Sequence, residues 1–269
     1  MKQSSAKIAG HPCFNKAASH WFNSIHLPVA PRCNIKCYYC TKRNDCPNEN
    51  LPGTASRVLT PSQAIKKVRK AVQNDPHLKV VGIAGPGDPL ANKQTFQTLR
   101  LVHDEFPGLI KCVSTNGLLL AEKAGELIES GVTTTSVTVN AIAPRIASVI
   151  HAWIHYRGEV YEDDTAASIL IENQLAGIKE AVSKGLTVKV NFILIPGLNE
   201  NHIRKIAVTV RNLGVYMMNI IPLVPEAEFK FLQPPTLMQL AKAREYSAAI
   251  IPYMCNCIQS QGDTVGNSL

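Results

Sequence analysis

No apolar run in this 269-residue sequence reaches the roughly 18 residues that a membrane-spanning helix needs. The first ten residues, MKQSSAKIAG, have no hydrophobic stretch behind their lysines, so no secretory signal is expected. Aromatic residues make up only 6% and charged residues only 18%. With so few charges and 45% hydrophobic content the chain can build a core, which excludes bulk disorder. The expected setting is soluble and cytoplasmic, without a membrane, where thiols stay reduced.

The charge balance is 28 Lys+Arg against 20 Asp+Glu, a formal +8. The densest basic run, Lys66, Lys67, Arg69 and Lys70, falls on a helical pattern without the interleaved aromatics that stacking on bases requires. It reads as a solvated helix face, so no nucleic-acid partner is expected. A basic surface also suits acidic electron carriers and anionic cluster-delivery proteins.

Against these scarcities stand eight cysteines, at positions 13, 33, 37, 40, 46, 112, 255 and 257. In a reducing compartment they point to metal or catalysis rather than disulfides. The tightest group is Cys33-x-x-x-Cys37-x-x-Cys40, three thiols in one short loop with no fourth at zinc-finger spacing. Three thiolates around a cubane iron–sulfur cluster leave one iron open to a small molecule. A zinc knuckle completed by Cys46 or His26, or three buried thiols, are the alternatives. A lone histidine such as His26 on a strand is more often a packing residue.

Beyond this loop the chain alternates strand-like runs (25–30, 79–84, 109–115, 134–141, 186–195 and 215–221) with helical patterns (61–74, 93–105, 119–130, 165–184 and 199–213). Thr60-Pro61 is a helix start, and Gly131, Gly185 and Gly214 follow helices where left-handed caps are expected. Such alternation predicts an α/β fold, a partial (β/α)6 TIM-like barrel with extensions at both ends; an open doubly wound sheet is the alternative. The boundaries read as an N-terminal arm over 1–24, a barrel over 25–225, and a C-terminal helix and tail over 226–269. Barrel sites collect at the C-terminal strand ends. There lie Gly85-Pro86-Gly87-Asp88, Ser114-Thr115-Asn116-Gly117, Thr138-Val139-Asn140 and Asn191. The glycine turn lacks dinucleotide-site spacing and a phosphate-loop lysine. Its exposed backbone suits an amino acid's ammonium and carboxylate. Period-2 alternation puts Ser136, Thr138 and Asn140 on one face, with Cys112 and Ser114 likewise paired, a lining suited to a ligand cavity. His151-x-x-x-His155 has helical i,i+4 spacing but no glutamate beside the first histidine, and Glu162-Asp163-Asp164 reads as solvent-facing.

The cysteine triplet, with Tyr39 before its last member, resembles the signature of radical S-adenosylmethionine (SAM) enzymes. More specifically, His11-Pro12-Cys13, Asp45-Cys46, the run Gly82 to Asn92, Ser114 to Gly117, Lys189-Val190-Asn191 and Pro196-Gly197 resemble the NifB family of nitrogenase iron–molybdenum cofactor biosynthesis proteins, in its short stand-alone form. The resemblance implies a 4Fe–4S cluster on Cys33, Cys37 and Cys40 whose open iron chelates SAM, cleaved on reduction to a 5′-deoxyadenosyl radical. It implies two further 4Fe–4S substrate clusters, fused into an eight-iron core around a carbide from a SAM methyl group. Cys13, Cys46, Cys112 and His26 would hold one substrate cluster, and Cys255 and Cys257 the other. The family pair is usually Cys-x-x-Cys, whereas this chain has one residue between. Gly85, Gly87 and Asp88 would cradle the methionine moiety, Ser114, Asn116 and Asn191 would line the SAM pocket, and Glu49 would handle protons. Implied partners are cluster donors of the NifU/NifS type, reduced ferredoxin or flavodoxin, and NifX- or NifEN-type carriers. A different radical SAM enzyme acting on a small organic substrate, and a non-catalytic iron–sulfur carrier or scaffold, are the rival readings.

Overall fold

The computed structural model describes residues 8–41 and 57–253. Cys46, Glu49, Cys255 and Cys257 lie outside these residues. The elements run β1 (Asn23–His26), β2 (Ile35–Cys37), α1 (Pro61–Asn74), β3 (Leu78–Ile83), α2 (Lys93–Glu105), β4 (Ile110–Thr115), α3 (Leu120–Glu129), β5 (Val132–Thr138), α4 (Pro144–Ala147), β6 (His151–Tyr156), β7 (Glu159–Glu162), α5 (Asp163–Ser183), β8 (Thr187–Leu194), α6 (Ile203–Asn212), β9 (Met217–Pro222) and α7 (Leu237–Ala248).

Local chemistry sets the boundaries. Thr60 starts α1 with a capping box: its hydroxyl accepts from the Gln63 N–H (3.3 Å) and the Gln63 side chain accepts from the Thr60 N–H (3.0 Å). Gly131, Gly185 and Gly214 take φ of 77°, 85° and 86° as α3, α5 and α6 end, the left-handed caps expected there. The first strand is shorter than the apolar run suggests. It stops at His26 because Pro28 has no N–H to extend the ladder. The chain then rejoins β3's exit through Leu27 N–H to the Gly82 carbonyl (2.9 Å) and Ala30 N–H to the Gly85 carbonyl (3.1 Å).

Six strands form one parallel sheet in the order β1-β3-β4-β5-β8-β9. The order follows the chain without the reversal that a doubly wound sheet requires. The helices pack against one face: Val68, Leu99, Leu127, Ile178 and Ile206 meet Ile25, Val81, Val113, Val137, Val190 and Met218 in one buried core. A sequentially ordered parallel sheet covered on one side is a curled half-barrel. Its other face is the lumen, lined in register by rows of paired residues. One row is His26, Gly82, Cys112 and Thr134; a second is Ser114, Ser136, Lys189 and Met217; a third is Thr138, Asn191 and Asn219.

A smaller antiparallel sheet, β2-β6-β7, has no counterpart in the sequence reading. Its hairpin turns on Arg157 (φ 52°) and Gly158 (φ 87°), the two left-handed residues that a two-residue hairpin of matching twist needs. The i,i+4 histidines 151 and 155 therefore lie on strand β6, not on a helix. Glu162, Asp163 and Asp164 are exposed as expected. Among the described residues no helix is long and apolar enough to cross a membrane.

His151 is buried, and burial pushes its imidazole down from 6.5 to about 4. Between those two values the unfolded chain binds a proton that the folded chain does not, so stability falls as pH falls through this window. The loss expected of the cluster-free protein is on the order of 3 kcal/mol. Urea unfolding of wild type and His151→Phe between pH 7 and pH 4 should show the steeper loss in wild type; parallel profiles would mean that His151 titrates normally.

Candidate functional site

The cysteine loop is held over the C-terminal ends of the barrel strands by backbone contacts on two sides. On one side β2 pairs with β6, the Tyr38 N–H donates to the Ile150 carbonyl (2.9 Å) and the His155 N–H donates to the Asn34 carbonyl (2.8 Å). On the other, the turn after β3 grips the residues leading into Cys33. The Gly87 N–H donates to the Ala30 carbonyl (2.6 Å), and the Asp88 N–H and the Asn92 side-chain amide both donate to the Arg32 carbonyl (2.9 and 2.7 Å). A Cβ on residue 87 would collide with the Arg32 carbonyl and come within 2.9 Å of the Ala30 oxygen, so this approach requires glycine.

Asp88 ties that turn to the end of β4. Its carboxylate accepts from the Thr115 hydroxyl (2.8 Å), the Asn116 N–H (2.7 Å) and the Leu90 N–H (2.9 Å). Burial pushes the Asp88 carboxyl above the usual carboxylate range, and these hydrogen bonds offset part of the rise. Asn116 passes the connection on, donating to the Asn34 side-chain oxygen (2.7 Å) inside the cysteine loop. Within the loop Lys36 Nζ donates to the Cys40 carbonyl (3.0 Å), and the Tyr38 ring stacks on Phe229 at 5.9 Å. The Tyr39 hydroxyl accepts from Asn140 (3.0 Å).

These contacts border a cavity lined by Cys33, Cys37 and Cys40, by Ile35, Tyr39, Ala84 and Pro86, and by Gly87, Asp88, Ser114, Thr115, Asn116 and Thr138. Among the described residues no three His, Cys, Asp or Glu side chains converge on a single-ion site. The three thiols instead border one cavity. That donor set fits the separate corner irons of a cubane cluster better than one tetrahedral zinc. Of the residues singled out for SAM, Gly87, Asp88, Ser114 and Asn116 line this cavity. Gly85 and Asn191 do not; Asn191 is buried on β8, in register with Thr138 and Asn219.

A second group of donors gathers in the lumen. Ile25 faces the helices, so His26 faces inward, lying across Gly82; a Cβ on residue 82 would come within 2.7 Å of the His26 Nε2. Gly82 pairs with Cys112, so the missing side chain opens the space between His26 and the half-buried Cys112. The N-terminal arm supplies Cys13, which packs with Cys112 against Ile8, Phe14 and Met217. His11 accepts the Cys13 N–H at its Nδ1 (3.1 Å). Burial, then the charges of Lys189 and His26, hold the His11 imidazole well below its usual range.

Several supporting residues had no assigned role in the sequence. Asn34 and Thr115 join segments far apart in the chain, and nothing local signals such contacts. Asn92 was visible as part of the Gly82–Asn92 run, and an asparagine soon after a glycine turn is a recognisable cue for a turn clamp. Asn140 was expected in the lumen, and there it holds the Tyr39 hydroxyl and the Ile193 N–H (2.9 Å).

A profile of the Radical SAM superfamily matches residues 27–210. The FeMo cofactor biosynthesis protein NifB of Methanocaldococcus jannaschii is 45% identical over 259 residues, covering 95% of this chain and 85% of that protein. The chain belongs to the radical SAM superfamily and, within it, to the NifB family. The NifB of Chlorobaculum tepidum is 43% identical over 262 residues, 96% of this chain, and the chain spans 62% of that relative's length. Among solved structures, Streptococcus suis SuiB aligns over 94% of this chain and 52% of its own, with TM-score 0.64 and 13% identity. An identity that low supports the half-barrel fold alone.

Asp88→Asn puts an amide where the carboxylate accepts from two N–H groups and a hydroxyl. The expected effect is a loss of about 1–3 kcal/mol in the urea unfolding of cluster-free protein, with weaker SAM binding by the loaded protein. Unchanged values of both would remove Asp88 from the clamp.

Proposed function

We propose that this chain assembles the iron–sulfur core precursor of the nitrogenase cofactor, fusing two 4Fe–4S substrate clusters and inserting a carbon from a SAM methyl group. The observation that carries the reading is the presence, in one half-barrel, of two separate sulfur-bearing donor groups. Cys33, Cys37 and Cys40 border the cavity over the strand ends, while Cys13, His26 and Cys112 gather in the lumen. A radical SAM enzyme acting on a small organic substrate needs only the first group. A non-catalytic carrier needs no polar-lined cavity beside its cluster ligands.

A resident 4Fe–4S cluster on the three loop cysteines would supply reductive SAM cleavage. The chain's own residues account for the rest. The backbone carbonyls of residues 86–87 would offer acceptors to the amino end of SAM's methionine, with Ser114 a further polar group in the wall; the Gly87 N–H is engaged by Ala30 and the Asn116 side chain by Asn34 and Leu118. Ile35, Tyr39, Ala84 and Pro86 form apolar walls that limit water. Asp88 holds the cavity's shape and does not turn its carboxylate to the ligand. Cys13, His26 and Cys112 would hold one substrate cluster, with Cys46 completing the set. Cys255 and Cys257 would hold the other, and Glu49 would move protons at the first. Electrons would come from a reduced ferredoxin or flavodoxin, substrate clusters from NifU/NifS-type donors, and the product would pass to a NifX- or NifEN-type carrier. The +8 charge suits docking of acidic proteins.

Reduced, iron–sulfur-loaded protein supplied with methyl-labelled SAM should transfer label into an acid-extractable cluster. Label in an organic product instead would sink the assignment. Anaerobic reconstitution should also give about three cubanes' worth of iron per chain, and Cys112→Ala should lose about one of them. Iron for a single cubane, unaltered by Cys112→Ala, would favour the organic-substrate reading.

A further inference from the structure

His11 has no part in the chemistry described so far, yet its ring lies beside the donors of the lumen. It sits in the N-terminal arm two residues ahead of Cys13 and is only 2% exposed. Turns fix its backbone on both sides. The His11 N–H donates to the Ile8 carbonyl (2.9 Å), and the His11 carbonyl accepts from the Phe14 and Asn15 N–H groups (3.1 and 2.9 Å). The imidazole packs on the Phe14 ring with centroids 4.6 Å apart. Phe14 belongs in turn to the small core against which Cys13 and Cys112 pack. The charges that act on the His11 ring are those of Lys189 and His26, both on inward strand faces.

The two ring nitrogens have different tasks. Nδ1 accepts the Cys13 N–H (3.1 Å), so the proton of the neutral imidazole is on Nε2. Nε2, on the far edge of the ring from that bond, is buried without a hydrogen-bond partner among the described residues. Thr134 repeats the pattern. It pairs with Cys112 across β4 and β5, is fully buried, and its hydroxyl has no partner among the described residues. A buried donor without an acceptor is unfavourable, and such groups are few in folded proteins. Two of them beside the same thiols mark a place where an acceptor arrives with a ligand.

His11 is not set up to bind iron itself. Its Nε2 would first have to pass its proton to Nδ1, which already faces the Cys13 N–H. It is set up to donate, and an iron–sulfur cluster presents sulfurs that accept hydrogen bonds. We propose that His11 donates a hydrogen bond from Nε2 to a sulfur of the iron–sulfur substrate held by Cys13, His26 and Cys112, orienting that cluster in the lumen and raising its reduction potential. This rests on the proposed function for the existence of the lumen cluster, and adds the contact that reads its sulfur. His11 ligates no metal in this scheme, and no atom is transferred to or from it.

The test compares wild type, His11→Phe, His11→Asn, His11→Gln and Cys112→Ala, all full-length and reconstituted anaerobically with iron and sulfide. Asparagine places an acceptor where Nδ1 was but has no group at Nε2. Glutamine reaches the Nε2 position with an N–H but leaves the Cys13 N–H without its acceptor. Cluster potentials are read by EPR-monitored redox titration, and exchangeable protons near the cluster by ENDOR in H2O and D2O. Cys112→Ala identifies the lumen cluster by the signal and the roughly four irons that it removes. In His11→Phe and His11→Asn that cluster should titrate at a more negative potential and lose one exchangeable-proton coupling, or be missing. In His11→Gln it should be retained, with potential and coupling moved back towards wild type. The reverse pattern, with His11→Asn normal and His11→Gln defective, would overturn the proposal and leave His11 only its bond to the Cys13 backbone. Wild-type values in both His11→Phe and His11→Asn would overturn it too, as would a defect in His11→Gln as severe as in His11→Phe. Failure of the underlying reading looks different: wild type would then hold one cubane only, and Cys112→Ala would change nothing. That result overturns the proposal as well.

Discussion

The turn after β3 closing on the backbone before Cys33 is the constraint on which the rest of the site depends. Gly87 permits the approach by having no side chain, and the Arg32 carbonyl is held by both the Asp88 N–H and the Asn92 amide. Asp88 extends the same clamp to Thr115 and Asn116, and Asn116 reaches back to Asn34 within the loop. Three chain segments far apart in sequence are thus fixed to one another by buried hydrogen bonds. Such a network stiffens a cavity wall only if its members are satisfied together. A loop bearing three soft ligands, tied down in this way, can present them at the strand ends without metal first organising it.

The half-barrel supplies what a fully packed barrel could not. Its convex face is closed by helices in an apolar core, while the concave face keeps Ser114, Ser136, Thr138 and Asn191 alongside Cys112, His26 and Lys189. A lumen so polar is poor at stabilising the fold by burial, and reads as a container. The N-terminal arm delivers Cys13 to the small core around Phe14 and Met217. The cavity residues Ser114 and Thr138 and the lumen residues Cys112 and His26 therefore lie on one concave face, so that in the proposed function a group activated above would pass to a cluster held within.

Much of this architecture was legible in the sequence, for reasons of period and chemistry. The capping box at Thr60, the left-handed glycines at 131, 185 and 214, and the outward valines 137 and 139 are local rules expressed locally. The three-cysteine loop and the glycine turn were legible by spacing. What was not legible is what depends on long-range contact. The β2-β6-β7 sheet hides because its hairpin uses Arg157-Gly158 and β6, the first strand of that hairpin, mimics helical histidine spacing. The Asn34–Asn116 bond spans 82 positions, and no pattern within either segment announces it. Asn191 was expected at the SAM pocket; it pairs with Thr138, which lines the cavity, but is not itself part of that lining. Strand alternation identified its face without fixing its distance from the cavity.

In the proposed function one half-barrel carries two distinct iron–sulfur sites. Anomalous diffraction at the iron edge, on crystals of the iron-loaded, SAM-bound protein, tests it most directly. One iron peak is expected beside Cys33, Cys37 and Cys40 with SAM in the adjoining cavity, and a separate peak in the lumen bounded by Cys13, His26 and Cys112. Iron confined to the three-cysteine loop, with His26 and Cys112 packed against protein alone, would contradict it.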